Sequence, residues 1–257
     1  MKLLELFLTP DQLKYKQLDK QNIASKQREL GWTDQSRQRI GGGAYADVYA
    51  AQKDPGAVDK IAKSSEIKYL ADDPYYEFLH MLSQNDRIAN NPFFPKVFKL
   101  DTFRDASGKY TYNVNMEKLR PLSSLRTDEI MTIGRDLFTE FDSEIRGQKK
   151  KLGIKGSKPT GDPEEEQSRE RTQKIVALVA FADCFNEILM STRPITTIKN
   201  PKLVQAMMFL QKILKSNPDF SADLHHANLM IRRGPYGVQV VITDPISGGG
   251  ASPKWKD

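Results

Sequence analysis

The 257 residues predict an α+β chain in two parts, on three observations. Short strand-like runs joined by glycine-rich turns fill the stretch from Arg37 to Thr111. Apolar residues at helical spacing dominate from Ser124 to Lys215. A last pair of apolar runs, Leu229–Arg233 and Val238–Ile242, flanks Gly234-Pro-Tyr-Gly237 and reads as an antiparallel hairpin.

Thr9-Pro-Asp-Gln12 combines a capping threonine, a proline at the first helical position and a capping-box glutamine. A polar, basic helix to about Leu30 is expected there, within an N-terminal extension over 1–36. Gln38–Gly41, Asp47–Gln52 and Val58–Lys63 then read as strands. A helix over Asp73–Gln84 presents Tyr76, Leu79, Met81 and Leu82 on one side. Lys96–Phe103 and Tyr110–Glu117 read as a hairpin around Asp105-Ala-Ser-Gly108, so residues 37–118 form a small antiparallel sheet carrying one helix.

After Leu119-Arg-Pro121 the pattern turns helical, over a second part spanning 119–247. Ser124 is expected to cap a helix in which Ile130, Ile133, Leu137, Phe138, Phe141 and Ile145 recur. Thr172–Ser191 is apolar on most sides, as a central buried helix should be. Asn200-Pro201 opens a third helix to about Lys215, with Leu203, Val204, Met207, Leu210 and Leu214 inward. Between the first two, 147–171 carries a lysine cluster and then Glu164-Glu-Glu166, the composition of a flexible solvated insertion. Residues 248–257 read as a flexible tail.

Apolar residues make up 39% of the chain, enough for a core. The net charge of +6 suits bound nucleotide or acidic proteins. Basic runs studded with aromatics, which bind single-stranded nucleic acid, are absent, so nucleic acid is not the expected partner. The one cysteine, Cys184, excludes an internal disulfide and any C-x-x-C metal pattern, and reads as a small core residue. Met1–Leu8 contains Glu5 and is too short for a secretion signal or a membrane span. A cytoplasmic protein without a membrane partner is expected.

The chemistry concentrates near the last hairpin. In an antiparallel pair the start of one strand lies beside the end of the other, so Asn228 and Asp244 should converge, with Asp223 just outside. An amide and a carboxylate at one mouth suit Mg²⁺, which prefers oxygen ligands and substrate phosphates. A separate carboxylate nearby can orient an attacking hydroxyl, and together these make the layout of a phosphoryl-transfer site. His225 reads as a polar residue of that site and His226 as structural, since no third cluster of metal ligands accompanies them.

Ile40-Gly-Gly-Gly43-Ala-Tyr-Ala-Asp-Val48 is an independent signal, because glycines at a strand turn let backbone amides approach phosphates closely. No Gly-Lys-Ser/Thr follows, so it is not a Walker loop. Lys63 ends the third strand and would neutralise phosphate oxygens, with Lys60 as competitor three residues away.

Taken in order, Gly41-x-Gly43-x-x-Ala46-x-Val48, Lys63, a helix with Glu77, Met116-Glu117-Lys118-Leu119, Asp223-x₄-Asn228 and Asp244 resemble the protein-kinase-like fold. Asp-Leu-His-x-x-Asn is similar to the aminoglycoside-phosphotransferase branch. Asp223-x-His-x-x-Asn-x-Met230 with Ile242-Thr-Asp-Pro-Ile-Ser247 looks most like the early serine/threonine protein kinases of lytic podophages.

That resemblance implies two lobes, a nucleotide-binding sheet and a reduced helical C-lobe, with ATP and Mg²⁺ as cofactors. Ile40, Gly41, Gly42, Gly43, Ala44, Tyr45 and Val48 would cover the nucleotide. Lys63 would grip its phosphates, held by Glu77, for which Glu66 competes. Met116 would be the gatekeeper, and Glu117 to Leu119 would contact adenine through their backbone. Asp223 would accept the substrate proton beside His225, while Asn228 and Asp244 hold Mg²⁺. The implied substrates are proteins in the bacterial host cytoplasm and the chain itself. A phosphate on Ser247 would repel ATP from the metal residue beside it.

The departures are specific. Ala46 stands for the third glycine, Ser221-Ala222 for the usual His-Arg, and Pro245-Ile246 for Phe-Gly. No Ala-Pro-Glu element follows Asp244, so peptide recognition would follow another plan. Two alternatives stay open: a small-molecule phosphotransferase, and a pseudokinase that binds and blocks a host protein.

Overall fold

A computed structural model describes Ser25 and residues 38–42, 46–52, 54–62, 70–104, 110–154, 162–235 and 237–248. Apart from Ser25, the expected N-terminal helix lies outside the described residues, and so does the tail beyond Gly248. The fold is α+β, with a five-stranded antiparallel sheet and six α-helices among the described residues. The chain divides into two compact units. One takes the residues up to His80 together with Lys96–Lys118; the other takes Met81–Pro95 and the residues from Leu119 onward.

The first unit is the sheet. Strands β1 (Arg39–Gly42), β2 (Ala46–Ala50), β3 (Ala57–Ala62), β4 (Val97–Arg104) and β5 (Tyr110–Glu117) lie in the order β1-β2-β3-β5-β4. Alternation puts Val58 and Lys60 on the same face of β3, opposite Met116 and Val114 of β5. That face packs on helix α1 (Pro74–Ser83), for Tyr75 donates its hydroxyl to the Met116 sulfur at 3.8 Å and its ring lies against Tyr112. Asp73 caps α1, accepting from the Tyr76 amide at 2.8 Å, and the Tyr112 hydroxyl donates to the same carboxylate. Sequence and structure agree on these elements to within two residues at each end.

The second unit is built on a buried helix. Short helix α2 (Asp86–Ala89) precedes α3 (Thr127–Leu137), α4 (Phe141–Lys151), α5 (Pro163–Leu189) and α6 (Pro201–Ser216). On α5, Val176, Ala177, Ala180, Phe181, Cys184, Phe185 and Ile188 are all buried. Phe138 meets Phe181 and Phe185 edge-on at 6.0 and 5.2 Å between ring centres, and Phe141 meets Phe181 at 5.8 Å. On α6 the buried set is Leu203, Ala206, Met207, Phe209, Leu210 and Ile213. Val204 and Leu214, expected inward, are only half-buried.

Three helix boundaries differ from the sequence reading. Ser124 does not cap α3; it closes a short turn on the Pro121 carbonyl, and the α3 entry is set by Glu129 accepting from the Arg126 amide at 2.9 Å. The expected continuous helix breaks at Phe138, which turns extended and bridges Ile198. There the Thr139 amide donates to Thr197 and the Lys199 amide to Leu137, both at 2.9 Å, so strand-like pairing replaces helix propagation. The charged stretch 147–171 is helical at both ends, up to Lys151 and from Pro163. Asp162 accepts from the Glu164 amide at 2.9 Å, and Glu164–Glu166 occupy the first turn, where the helix dipole favours negative charge.

No helix among the described residues is long and apolar enough to cross a membrane.

Gly134 of α3 is held by contact with Phe141. A Cβ at Gly134 would lie 2.3 Å from the Phe141 ring. Alanine normally favours a helix over glycine by about 1 kcal/mol. Gly134→Ala should instead destabilise the protein by about 1–3 kcal/mol through overpacking, read as a lower urea midpoint with unchanged slope.

Candidate functional site

Two strand pairs of the second unit bring the polar residues together. Strand β7 (Phe220–Ala222) pairs with β10 (Ile246–Gly248), with Ala222 opposite Ile246. Strands β8 (Leu229–Gly234) and β9 (Gly237–Ile242) form the expected hairpin, with Leu229 opposite Ile242, and β6 (Arg120–Pro121) adds to its outer side along β8. Asp223 therefore leaves β7 where Asp244-Pro245 enters β10, and Asn228 enters β8 where Thr243-Asp244 leaves β9.

Backbone bonds tie these ends. The Asp223 amide donates to Pro245 at 3.0 Å, and the Thr243 amide and hydroxyl both donate to the Asn228 carbonyl, at 3.0 and 3.1 Å. The side-chain amide of Asn228 donates to the Asp223 carbonyl at 2.7 Å, which leaves its oxygen as the acceptor end. His225 accepts from the Ala227 amide on Nδ1 at 3.2 Å and, through its carbonyl, from the Asn228 amide at 2.9 Å. Its Nε2 is thus the donor in the neutral ring.

Two features were not singled out in the sequence. Asn186, on buried α5, grips Leu224 from both sides: its oxygen accepts from the Leu224 amide at 3.1 Å and its nitrogen donates to the Leu224 carbonyl. An asparagine in an apolar helix carries no sequence signal beyond its polarity, so only the fold reveals it. Ser221 Oγ lies 2.9 Å from Ser247 Oγ, across the β7–β10 pair.

Burial pushes the Asp223 carboxyl above its ordinary value, and the Asp244 charge adds to the push while His225 opposes it. Burial also lowers His226, with a further contribution from His225. Among the described residues no three His, Cys, Asp or Glu side chains cluster as a metal site. Two neighbouring carboxylates and an amide oxygen are a donor set too small to enclose a cation. They fit Mg²⁺, which keeps waters and takes substrate phosphate oxygens beside one or two carboxylates.

The first unit holds the rest of the expected site residues except Leu119. Ile40, Gly41 and Gly42 are exposed on β1, with Gly41 opposite Val48 of β2. Gly43, Ala44, Tyr45, Lys63 and Glu66 lie outside the described residues. Lys60 is described, on the β3 face that carries Met116, with its ammonium 3.6 Å from the centre of the Tyr75 ring. Glu77 sits half-buried on α1, and no described cation pairs with it. Glu117 accepts from the Lys96 amide at 2.8 Å, which fastens the β4–β5 edge; Leu119 opens the second unit and is half-buried.

No protein-family model matches the chain, and no curated protein matches it in sequence.

The raised Asp223 pKa has a sign that can be tested. A carboxyl raised in the folded state contributes stability that is complete below its unfolded value of about 3.9 and is lost as pH rises through the folded one. Asp223→Asn should therefore match the wild type in urea below about pH 3.5 and unfold at a higher midpoint at pH 7. A lower midpoint at pH 7 would mean that the carboxylate is held by favourable partners.

Proposed function

We propose that the chain is an ATP- and Mg²⁺-dependent serine/threonine protein kinase of the podophage type, acting on proteins in the bacterial host cytoplasm and on itself. The protein-kinase-like assignment of the fold is part of this proposal. The observation that carries it is the convergence of Asp223, Asn228 and Asp244 at the ends of two strand pairs, in the layout that phosphoryl transfer needs.

In this reading Asp223 accepts the proton of a serine or threonine hydroxyl. The hydroxyl oxygen bonds to the γ-phosphorus as the bond from that phosphorus to the ADP oxygen breaks. A carboxyl raised by burial and by a like charge is a better proton acceptor than an ordinary aspartate. Mg²⁺, when bound, neutralises charge on the phosphate oxygens; Asp244 and the Asn228 side-chain oxygen would hold it. The backbone of the β1–β2 turn would approach the phosphates. Lys60 or Lys63 would supply the cation, and the shared face with Met116 favours Lys60.

A second reading, transfer to a small hydroxylated acceptor, is favoured by His225. That side chain lies within electrostatic reach of Asp223 and keeps a donor nitrogen for a substrate group.

Incubation with γ-labelled ATP and Mg²⁺, with and without bacterial lysate, tests the proposal. Label should enter this protein or lysate proteins and vanish in Asp244→Ala, with rates reduced by orders of magnitude on the scale of lost charge stabilisation. Label confined to small acceptors would select the second reading. Lys60→Ala and Lys63→Ala, compared in the same assay, assign the phosphate-binding lysine: the essential one should lower the rate by about a hundredfold or more.

A further inference from the structure

We propose that Asn186 is the positioning residue of the 223–228 loop, fixing the Asp223 carboxylate from the core side. Its role in catalysis rests on the kinase reading; its role in ordering the loop does not.

The geometry is a matched pair of bonds to a single residue. Leu224 is fully buried, so its amide and carbonyl need partners inside the protein. Asn186 supplies both, its oxygen to the amide and its nitrogen to the carbonyl. Only a carboxamide offers one acceptor and one donor at that reach. An aspartate would repel the carbonyl, and leucine would leave both backbone groups unpaired at a cost comparable to lost hydrogen bonds.

Asp223 is thereby held on both flanks. Its own amide is bonded to Pro245 and the next residue is clamped to α5. The base of the clamp is itself fixed. Gln211 of α6 donates to the Ile188 carbonyl at 2.7 Å, two residues along α5 from Asn186. Arg193, with its side chain 9% exposed, pairs with Glu187 at 2.6 Å and with Glu144 of α4 at 2.5 Å. The last turn of α5 is therefore tied to α4 and α6, and Asn186 transmits that rigidity to the loop. A displacement of about 1 Å at a reacting group costs on the order of a hundredfold in rate.

The test uses the full chain with Asn186→Ala and Asn186→Asp, read in two ways. Hydrogen exchange by NMR should show the Leu224 amide losing protection in Asn186→Ala, while Met230 and Ile231 of β8 keep theirs. Asn186→Asp retains the acceptor, so it should preserve more Leu224 protection than alanine. In the phosphorylation assay, kcat should fall roughly ten- to a hundredfold, with KM for ATP within about twofold. Unchanged Leu224 protection in Asn186→Ala would overturn the clamp. Lost protection with unchanged kcat would overturn the positioning role and leave a structural bond. Absence of transfer by the wild-type chain would overturn the kinase reading, and the exchange result would still decide whether Asn186 orders the loop.

Discussion

The bond from the Asn228 side-chain amide to the Asp223 carbonyl ties together two strand pairs that share one segment of chain. One pair, β7–β10, carries the carboxylate of Asp223 at its edge; the other, the β8–β9 hairpin, carries Asn228 and Asp244 at its mouth. Each is too short to stand alone, since an isolated hairpin is marginal in water. Their shared segment, Thr243–Ile246, makes each a brace for the other. The polar triad follows from that crossing: its members are the residues left over where four strand ends meet. Burial raises the Asp223 carboxyl and the neighbouring Asp244 charge adds to the rise, so bringing two carboxylates together there has an electrostatic cost.

Around the crossing the fold supplies stiffness from several sides: helix α6 packs on β7, and the Ile242 amide at the end of β9 donates to the Phe93 carbonyl at 2.8 Å. Helix α5 runs beneath it, buried on most sides, and Arg193 ties Glu187 in its last turn to Glu144 of α4. The buried pair, Arg193 with Glu144, contributes little net stability compared with apolar packing, because both charges lose their water. It restricts geometry instead. A helix end that cannot slide is worth more to a loop needing a fixed carboxylate than a somewhat more stable helix would be.

What the sequence disclosed follows from locality. The β8–β9 hairpin, its turn and the convergence of Asn228 with Asp244 are set by residues close in the chain, so alternation and turn chemistry were sufficient. The individual strands of the sheet were legible for the same reason, but the pairing of β3 with β5, Ala57 opposite Glu117, was not. Three things resisted. The break at Phe138 depends on pairing with Ile198, sixty residues away, and no local propensity announces it. The helical ends of the charged stretch 147–171 were hidden because charged composition reads as solvation, although glutamate at a helix start and lysine at a helix end are favourable. The face that Lys60 presents was not legible locally, and the pairing of Val58 with Met116 puts Lys60 on the side of the sheet that carries Met116. Asn186 belongs with these: its partner lies 38 residues on, and a polar residue in a buried helix declares its purpose only through what it meets.

Cys184 gives the molecule an unplanned practical property. It is fully buried on α5, and burial pushes its thiol up to about 12, despite the Arg193 guanidinium 3.3 Å from the sulfur. At neutral pH the thiolate population is on the order of one in a hundred thousand, and it is shut away from solvent as well. Since it is the one cysteine in the chain, the folded protein behaves toward thiol reagents as though it had none. A cysteine introduced at any exposed position becomes a single chemical address, to which a fluorophore or spin label attaches without first engineering the native residue away.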